Sequence, residues 1–374
     1  MEFMDAPRAL GGARGVLCYA TVDGDIEGFQ REARAKGVPL FGATSFQGVF
    51  TPRGFERGAF GLAFEPADRV TLAHALIDTS APRARRDVEQ AVARLEAELG
   101  GKPDAVLVHA TPGFEERVLE GLASGGWGSP ISVAGGSAAD DDLSGAWRVF
   151  DAERSLSEGA LVVAFRADAT VHAGFVSGYF GTKRRGRVTR CTGRTVHTID
   201  GRPAAEVLDE WMSGALAEAR KTGGSVLAET TLSPIGRVVD RTHRVPRYLL
   251  SHPHELHADT QAVSFFTELE EGDEIELMMG TRGSLLDRTQ QVVDRAIGRG
   301  QRPPLGGGVL IYCGGCVGAI GDGTGEVARI YREAVGGVPF LGAATFGEVG
   351  PFDIQGERVA RHGNLMCDTL LFGR

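Results

Sequence analysis

The feature that most constrains the fold is a repeat. Three segments of the sequence share one pattern of an apolar run, a helical stretch and a closing run. The closing runs read LFGATSF at residues 40–46, SVAGGSA at residues 132–138 and FLGAATF at residues 340–346. The opening runs are short, continuous and apolar, which is typical of strands that are covered on both faces. The sequence therefore predicts strand–helix–strand units in a duplicated α/β architecture.

The similarity extends beyond these units. Residues 68–165 and 272–373 each begin with a further strand and helix, so they are interpreted as two versions of one larger unit. Residues 231–259 are polar and contain prolines, and we expect them to form an irregular passage between the halves. The predicted fold class is α/β, with two related halves whose mixed β-sheets pack together and are flanked by helices in a layered α/β/β/α-like arrangement.

Composition and charge exclude two classes of partner. The chain has 374 residues, of which 42% are hydrophobic and 24% charged, enough for a sizeable core. Its formal net charge of −9 disfavours nucleic acid and anionic membranes, and the basic run at residues 183–187 is interpreted as a solvated loop. No apolar run is long enough to cross a bilayer, and five cysteines are too few for a disulfide framework. We therefore expect a cytoplasmic protein with reduced thiols.

Short strings that follow one another along most of the chain resemble a known family. The strings are GGSAADD at residues 135–141, VTRCTG at 188–193, IDGRPA at 199–204, EGD at 271–273, the segment 313–321 and FGEVGP at 346–351. Together they are similar to the FIST (F-box and intracellular signal transduction) family. The resemblance predicts an amino-terminal FIST domain over residues 1–230 and a carboxy-terminal FIST domain over residues 231–374.

The resemblance implies a stand-alone bacterial sensory protein of intracellular signal transduction. Such domains are proposed to bind small ligands, amino acids among them, and an output partner would be a separate signalling protein such as a histidine kinase or a cyclase. The sequence has neither a Gly-x-Ser-x-Gly elbow nor a phosphate-binding loop, so we expect no catalysis. Two alternatives stay open: a haem-binding nitric oxide sensor of the same family, and a small-molecule hydrolase or thiol-dependent enzyme.

The loops after the closing strands form the candidate binding site. They combine glycines with hydroxyl and carboxylate groups at strand ends, where open α/β sheets commonly bind ligands. Acidic groups would bind an ammonium group and free N–H groups a carboxylate, as in an amino acid. The alternative is that these glycines form tight turns for packing. The predicted ligand-binding residues are Thr44, Ser45, Gly135, Gly136, Ser137, Asp140, Thr345, Phe346 and Glu348.

Cysteines and clustered histidines offer two further candidates. Cys313 and Cys316 have the spacing of a redox pair, and the alternative is two small buried thiols. His252, His254 and His257 could bind a metal, but the proline between them breaks helical spacing, so we expect an exposed turn. No metal site is therefore predicted.

Two other histidines are the candidates for an axial haem ligand. His172 and His197 lie in strand-like surroundings, where a haem would need one histidine in an apolar pocket. The default interpretation is a strand histidine with a backbone partner. We therefore predict no cofactor and keep haem as the alternative.

Overall fold

Mixed sheets with helices on their flanks build the protein, which confirms the predicted α/β fold class. The structure is a computed structural model. It describes residues 1–7, 10–80, 82–242 and 244–374. Among the described helices, none combines the length and the apolar character that a bilayer crossing requires.

Two compact units divide the chain. The first comprises residues 1–176, 288–362 and 367–374, and the second comprises residues 177–287 and 363–366. The predicted domain boundary between residues 230 and 231 concerns the family domains and stays a prediction.

The first unit contains three copies of the repeated segment. The elements of the first copy are β1 (Glu2–Met4), β2 (Gly15–Ala20), α1 (Ile26–Lys36), β3 (Leu40–Thr44), β4 (Val49–Thr51), β5 (Gly54–Glu56) and β6 (Ala59–Phe64). The elements of the second copy are β7 (Val70–Asp78), α2 (Ala84–Leu99), β8 (Ala105–Ala110), α3 (Glu115–Ser124), β9 (Ser132–Ser137), β10 (Val149–Asp151), β11 (Ser155–Leu156) and β12 (Gly159–Ala167). The third copy begins with β13 (Val171–Val176).

The second unit follows β13 in the chain. Its elements are β14 (Phe180–Thr192), β15 (Thr195–Ile199), β16 (Arg202–Pro203), α4 (Ala204–Trp211), α5 (Ala219–Thr222), β17 (Gly224–Ser225), α6 (Leu227–Thr230), β18 (Ile235–Thr242), β19 (Val245–Ser251), β20 (Pro253–His257), β21 (Ala262–Phe265) and β22 (Glu274–Met279). The strands form one sheet in the order β17-β20-β21-β15-β14-β22-β18-β19, with β16 paired to β15. Val207 and Leu208 of α4 belong to the apolar core of this unit.

The third copy then continues to the end of the chain. Its remaining elements are α7 (Arg282–Ile297), β23 (Leu305–Cys313), α8 (Gly314–Ile320), α9 (Thr324–Ala334), β24 (Phe340–Thr345), β25 (Glu348–Ile354), β26 (Glu357–Gly363) and β27 (Cys367–Gly373).

Strand exchange links the three copies. The three six-stranded sheets have the orders β1-β6-β2-β3-β10-β11, β7-β12-β8-β9-β25-β26 and β13-β27-β23-β24-β4-β5. The first four strands of each sheet come from one copy, and the last two form a hairpin from another copy. The first copy receives the hairpin of the second, the second that of the third, and the third that of the first. Each sheet is therefore completed only when another copy is folded.

A common apolar core collects side chains from all three sheets. Its members include Leu17 and Phe41 of the first copy, Leu107 and Leu161 of the second, and Val309 and Leu370 of the third. Helices cover the other faces: α1 packs on the first sheet, α2 and α3 on the second, and α9 on the third. The sheets are therefore buried on both faces, as their continuous apolar runs predict.

One glycine of each copy faces a carbonyl group of the neighbouring parallel strand. A Cβ would lie 1.9 Å from Cys18 O at Gly42, 1.9 Å from Val108 O at Gly135 and 2.8 Å from Leu310 O at Gly342. Only glycine avoids these contacts, because every other residue carries a Cβ. The glycine shared by the three closing runs is therefore required by strand packing.

The edge strand predicted for the third copy was wrong. The strand expected at the start of residues 272–373 is β22, but it pairs with β14 and β18 in the second unit. The edge strand of the third copy is β13. It pairs with β27 in the same way that β7 pairs with β12 in the second copy. Both candidate strands are apolar, and the choice between them is a long-range pairing that local pattern does not encode.

The irregular passage expected over residues 231–259 was wrong, because most of this range forms strands β18, β19 and β20, while residue 243 lies outside the described residues. Polar side chains are tolerated there because much of the β18–β19 hairpin is only partly buried. Pro246 lies in β19, which is an edge strand, and Pro253 is the first residue of β20. Proline is accepted at both kinds of position.

The basic run at residues 183–187 lies within strand β14 instead of a loop, although it is largely exposed as expected. Two of its arginines pair with carboxylates: Arg185 Nε lies 2.6 Å from Glu276 Oε2, and Arg187 Nη2 lies 3.2 Å from Glu274 Oε1. The run is therefore a charge-paired strand face.

Replacing Gly42 with alanine should destabilise the first unit. The new Cβ would lie 1.9 Å from Cys18 O and 2.8 Å from Phe150 Cζ, which joins the first sheet to the hairpin of the second copy. Overpacking of this kind costs about 3 kcal/mol, or a fall in Tm of about 6 °C for a unit of this size. Gly128→Ala is the control, because a Cβ there meets no atom within 4 Å. Equal Tm values for the two variants would contradict the packing role.

Candidate functional site

The ends of the three closing strands meet in a closed ring of backbone hydrogen bonds. The bonds run from Phe46 N to Ala344 O (2.9 Å), from Phe346 N to Ser137 O (3.4 Å) and from Ala139 N to Thr44 O (3.0 Å). In every copy the donor lies four residues, and the acceptor two residues, after the glycine that faces the neighbouring strand. The three bonds are therefore equivalent, and each copy donates to one neighbour and accepts from the other.

Hydroxyl groups strengthen the ring from inside. Ser45 Oγ accepts a hydrogen bond from Ala344 N (2.8 Å), and Thr345 Oγ1 donates to Glu348 Oε1 (2.9 Å). Ser137 Oγ donates to the carboxylate of Glu115 (2.5 Å). All three hydroxyl-bearing residues are fully buried. They hold the strand ends together and do not face solvent.

Two further predicted residues order the loop that follows β9. Thr44 Oγ1 accepts a hydrogen bond from Arg148 N (2.8 Å). Asp140 is fully buried, and its carboxylate accepts hydrogen bonds from the backbone N–H groups of Leu143 (2.7 Å), Gly145 (2.7 Å) and Ala146 (2.8 Å). Three backbone donors satisfy the carboxylate, so its role is to shape the loop.

An aromatic group forms the outer face of the ring. Phe46 and Phe346 are equivalent residues of two copies, and their ring centroids lie 5.7 Å apart. Trp147 meets Phe346 edge-on at 6.4 Å. All three side chains are partly exposed. We call these three residues the aromatic face.

A charged cluster lies beside the aromatic face. Arg57 Nη2 lies 2.7 Å from Asp23 Oδ1 and 2.9 Å from Asp141 Oδ2. Asp141 also accepts a hydrogen bond from Gln47 N (2.8 Å), the residue that follows Phe46. Hydrogen bonds from Thr21 and Arg57 lower the pKa of Asp23. Both signs of charge therefore stand next to a stacking surface.

Beneath the ring, one row of core positions differs among the copies. Across the sheets the paired residues are Phe60, Tyr19, Ala43 and Val149 in the first, Leu161, His109, Gly136 and Glu348 in the second, and Asp368, Ile311, Ala343 and Val49 in the third. Glu348 stands where the other copies have valine. Asp368 stands where they have Phe60 and Leu161. These polar residues are fully buried, and with His109 and Tyr19 we call them the polar layer.

The hydrogen bonds of His109 fix its protonation state. Its Nδ1 lies 2.9 Å from Gly136 O and its Nε2 lies 2.8 Å from the Tyr19 hydroxyl. A carbonyl oxygen only accepts, so Nδ1 carries the proton and Nε2 accepts from Tyr19. Burial lowers the pKa of His109 to about 4, despite its bond to Gly136. The imidazole is therefore neutral at physiological pH.

Asp368 is a carboxyl group held in apolar surroundings. Its Oδ2 accepts a hydrogen bond from Gly135 N (2.9 Å), and its Oδ1 has no hydrogen-bond partner among the described residues. Burial raises the pKa of Asp368 well above its usual value, and the nearby Glu348 adds to the increase. Burial therefore disfavours the ionised form of Asp368.

Models of a known protein family match most of the chain. The FIST N domain model matches residues 15–202, and the FIST C domain model matches residues 204–351. The chain belongs to the FIST family. Domains of this family are associated with sensing in signal transduction.

Other comparisons add little to this assignment. No curated protein matches the FIST chain. Among solved structures it is similar to "Structure of PurLQS from Thermotoga maritima", with 10% sequence identity, 82% of this chain and 73% of that chain covered, and a TM-score of 0.24. That similarity supports no conclusion about the fold or activity of the FIST protein.

The paired cysteines of the FIST protein favour the buried-thiol interpretation. Cys313 and Cys316 are both buried, and neither forms a disulfide in the described structure. Burial is the main cause that raises the pKa of Cys313 well above its usual value, and its hydrogen bond with Cys316 is the next. A thiol needs its thiolate form for nucleophilic or redox chemistry, so this environment suppresses both.

The histidine run is a strand, and the expected exposed turn was wrong. His252 is fully buried, and burial followed by the charge of His254 lowers its pKa to about 3. The His254 ring stacks on Phe266 with centroids 4.3 Å apart, and His257 Nε2 lies 2.8 Å from Ser264 Oγ. The pairing of β20 with β21 decides this conformation, which the proline alone did not indicate.

The two candidate haem ligands of the FIST protein make hydrogen bonds within the protein. Burial lowers the pKa of His172, whose ring bonds the backbone of Ala296. His197 Nε2 lies 3.2 Å from Thr192 Oγ1. Neither histidine lines any of the cavities that we describe. Haem binding by either histidine stays an untested alternative.

The predicted ligand-binding residues come together, but most of them contact one another. None of them lines the described cavities, the largest of which has about 630 Å³ and lies in the second unit. Phe346 is the predicted residue that is partly exposed, on the outer side of the ring. The ring is therefore accessible through the aromatic face, and ligand binding by these residues stays a prediction.

Sequence reasoning missed the polar layer apart from Glu348. The equivalence of Glu348 with Val49 and Val149 follows from strand register, because Glu348 pairs with Gly136 as the two valines pair with Ala343 and Ala43. Asp368 lies outside the three aligned closing runs, so its equivalence to Phe60 follows only from strand register.

Replacing Asp368 with asparagine should make stability less dependent on pH. The pKa of this carboxyl is raised in the folded state, so its stabilising contribution is complete below pH about 4 and is lost as the pH rises toward the raised pKa. The asparagine side chain of the variant has no proton to lose. The difference in unfolding free energy between variant and wild type should therefore increase by up to about 1.4 kcal/mol per pH unit between pH 5 and pH 8.

Urea unfolding at pH 5 and pH 8 measures this difference. Asp168→Asn is the control, because Asp168 is exposed. If the difference in unfolding free energy between Asp368→Asn and the wild type were the same at both pH values, the pKa of this carboxyl would not be raised in the folded protein.

Proposed function

We propose that this FIST protein is a sensor that binds a small zwitterionic metabolite, of the amino-acid class, on the outer face of its strand-end ring. The observation that carries the proposal is the position of the aromatic face and the charged cluster on that ring. Three segments that are distant in sequence supply the ring, so a ligand bound there contacts all three copies of the repeat at once.

The aromatic face suits the apolar part of such a ligand. Phe46, Phe346 and Trp147 are partly exposed and offer both ring faces and ring edges. Aromatic side chains contribute large contact areas with little loss of conformational entropy. A ligand with an aliphatic or aromatic side chain would bury part of this surface.

The charged cluster suits the two charged groups of a zwitterion. Arg57 is a planar donor that pairs with carboxylates, and Asp23 and Asp141 are acceptors for an ammonium group. In the structure Arg57 pairs with these two aspartates at 2.7 and 2.9 Å. A zwitterion would replace these ion pairs with one between Arg57 and its own carboxylate and one between its ammonium group and an aspartate. The charges would therefore stay balanced.

A binding role without catalysis is consistent with the groups beneath the ring. His109 is neutral and hydrogen-bonded at both nitrogens, and the Cys313 thiol has a raised pKa. A general base or a nucleophile would need the opposite properties and an accessible position.

A conformational change at the ring would be transmitted to a signalling partner through the hairpins that the copies exchange. Each ring loop leads directly into a strand that pairs with another copy, as β4 does with β24. We propose that a separate protein, such as a histidine kinase or a cyclase, detects the resulting difference between bound and free states.

A thermal-shift screen with amino acids and related zwitterions tests the ligand class. A compound that binds only the folded protein stabilises it by about 2.7 kcal/mol at 100 times its Kd. We expect at least one compound of this class to raise Tm, with calorimetry giving the Kd. Mass spectrometry of the incubated compound should show no conversion, and turnover would contradict the absence of catalysis.

Phe346→Ala and Arg57→Gln locate the binding site. Each should weaken binding by about tenfold or more, because each removes one stacking or ionic contact. Phe180→Ala is the matched control, since Phe180 is an exposed phenylalanine of the second unit. Unchanged affinity in both ring variants, or no stabilising zwitterion in the screen, would refute the proposal.

A further inference from the structure

Two glutamates and a histidine from distant parts of the chain converge beside the ring. Glu115 and Glu116 are the first two residues of α3, and His362 lies near the end of β26. One ligand atom from each residue lies within 4.8 Å of the other two. His362 and Glu116 are 246 positions apart in the sequence, so no local sequence motif predicts this group.

The geometry of this group resembles a set of metal ligands. His362 Nδ1 lies 3.0 Å from Glu116 Oε1. Two ligands that each lie about 2.1 Å from a zinc ion are separated by roughly 3.4 Å in a tetrahedral site. Small side-chain rotations would therefore place all three ligand atoms around one ion.

The chemistry of the donors selects a class of ion. One imidazole nitrogen with two carboxylate oxygens suits zinc and other divalent first-row metals better than calcium, which prefers oxygen donors alone. The side chain of His362 is only 2% exposed, whereas that of Glu116 is 19% exposed. The group is therefore buried on the side of His362 and partly exposed on the side of Glu116.

Outer partners orient the ligands as in established metal sites. The Glu115 carboxylate accepts hydrogen bonds from Ser137 Oγ (2.5 Å) and from Gly113 N (3.0 Å). A Cβ at residue 347 would lie 2.4 Å from His362 Nε2, so the glycine there leaves room for the imidazole. Such second contacts fix ligand orientation and strengthen metal binding.

We infer that Glu115, Glu116 and His362 form a binding site for one divalent transition-metal ion, with zinc as the expected occupant. The site adjoins the ring through Ser137, whose backbone carbonyl accepts one of the three ring bonds. It is independent of the ligand proposed for the aromatic face.

The competing explanation is structural. Two carboxylates in the first turn of a helix stabilise it through the helix dipole without any metal. The two explanations differ in the binding of zinc by the purified full-length chain.

Equilibrium dialysis of the chelator-treated chain against zinc tests the site. We expect about one zinc ion per chain and a loss of affinity of about 100-fold or more in Glu116→Gln and in His362→Gln. Glu120→Gln is the matched control, since Glu120 lies on the same helix and pairs with the exposed Arg117. The control should bind zinc like the wild type.

Cobalt(II) gives a second readout that depends on the ligands themselves. Its visible absorption should appear with the wild type and change in His362→Gln, while circular dichroism confirms that the variants are folded. If His362→Gln does not fold, the more exposed Glu116 gives the decisive variant. Absence of zinc binding by the wild type, or equal affinity in the wild type and Glu116→Gln, would overturn the inference.

Discussion

The cyclic exchange of hairpins is the constraint on which the first unit depends. Each sheet has four strands of its own and two from another copy, and three equivalent backbone bonds close the cycle at the strand ends. Backbone bonds of this kind need partners that are correctly placed, because an unpaired buried N–H group costs free energy. The glycine opposite a neighbouring carbonyl in each copy allows the strands to approach closely enough. The ring therefore couples three distant segments into one structure.

We expect the functional site where the three copies carry different residues at equivalent strand positions. The polar layer places Glu348 and Asp368 at positions that are otherwise apolar, and this burial is costly unless the groups are hydrogen-bonded or neutral. The raised pKa of Asp368 and the neutral state of His109 reduce that cost. A structural repeat has no need for such residues. The differences between copies, together with the aromatic face above them, support the proposal that a ligand binds at the ring.

The sequence predicted much of this architecture because the repeat is encoded locally. The three closing runs, the fold class and the family all followed from short strings and their order. Long-range pairing could not be predicted in the same way: β13 and β22 are similar local candidates for one edge position, and only the sheet decides between them. The same limit applies to the site. Thr44, Ser45, Ser137 and Thr345 converge as expected, whereas the roles of Asp140 and Asp368 depend on contacts that no local pattern specifies.

Hydrogen exchange of the three ring amides tests the central claim most directly. The amides of Phe46, Ala139 and Phe346 belong to loops, yet each donates to another copy. If the ring closes as described, all three exchange slowly and together, with protection close to that of the neighbouring sheet amides. Exchange of any one of them at the rate of an open surface loop, while the sheets stay protected, would contradict a closed ring.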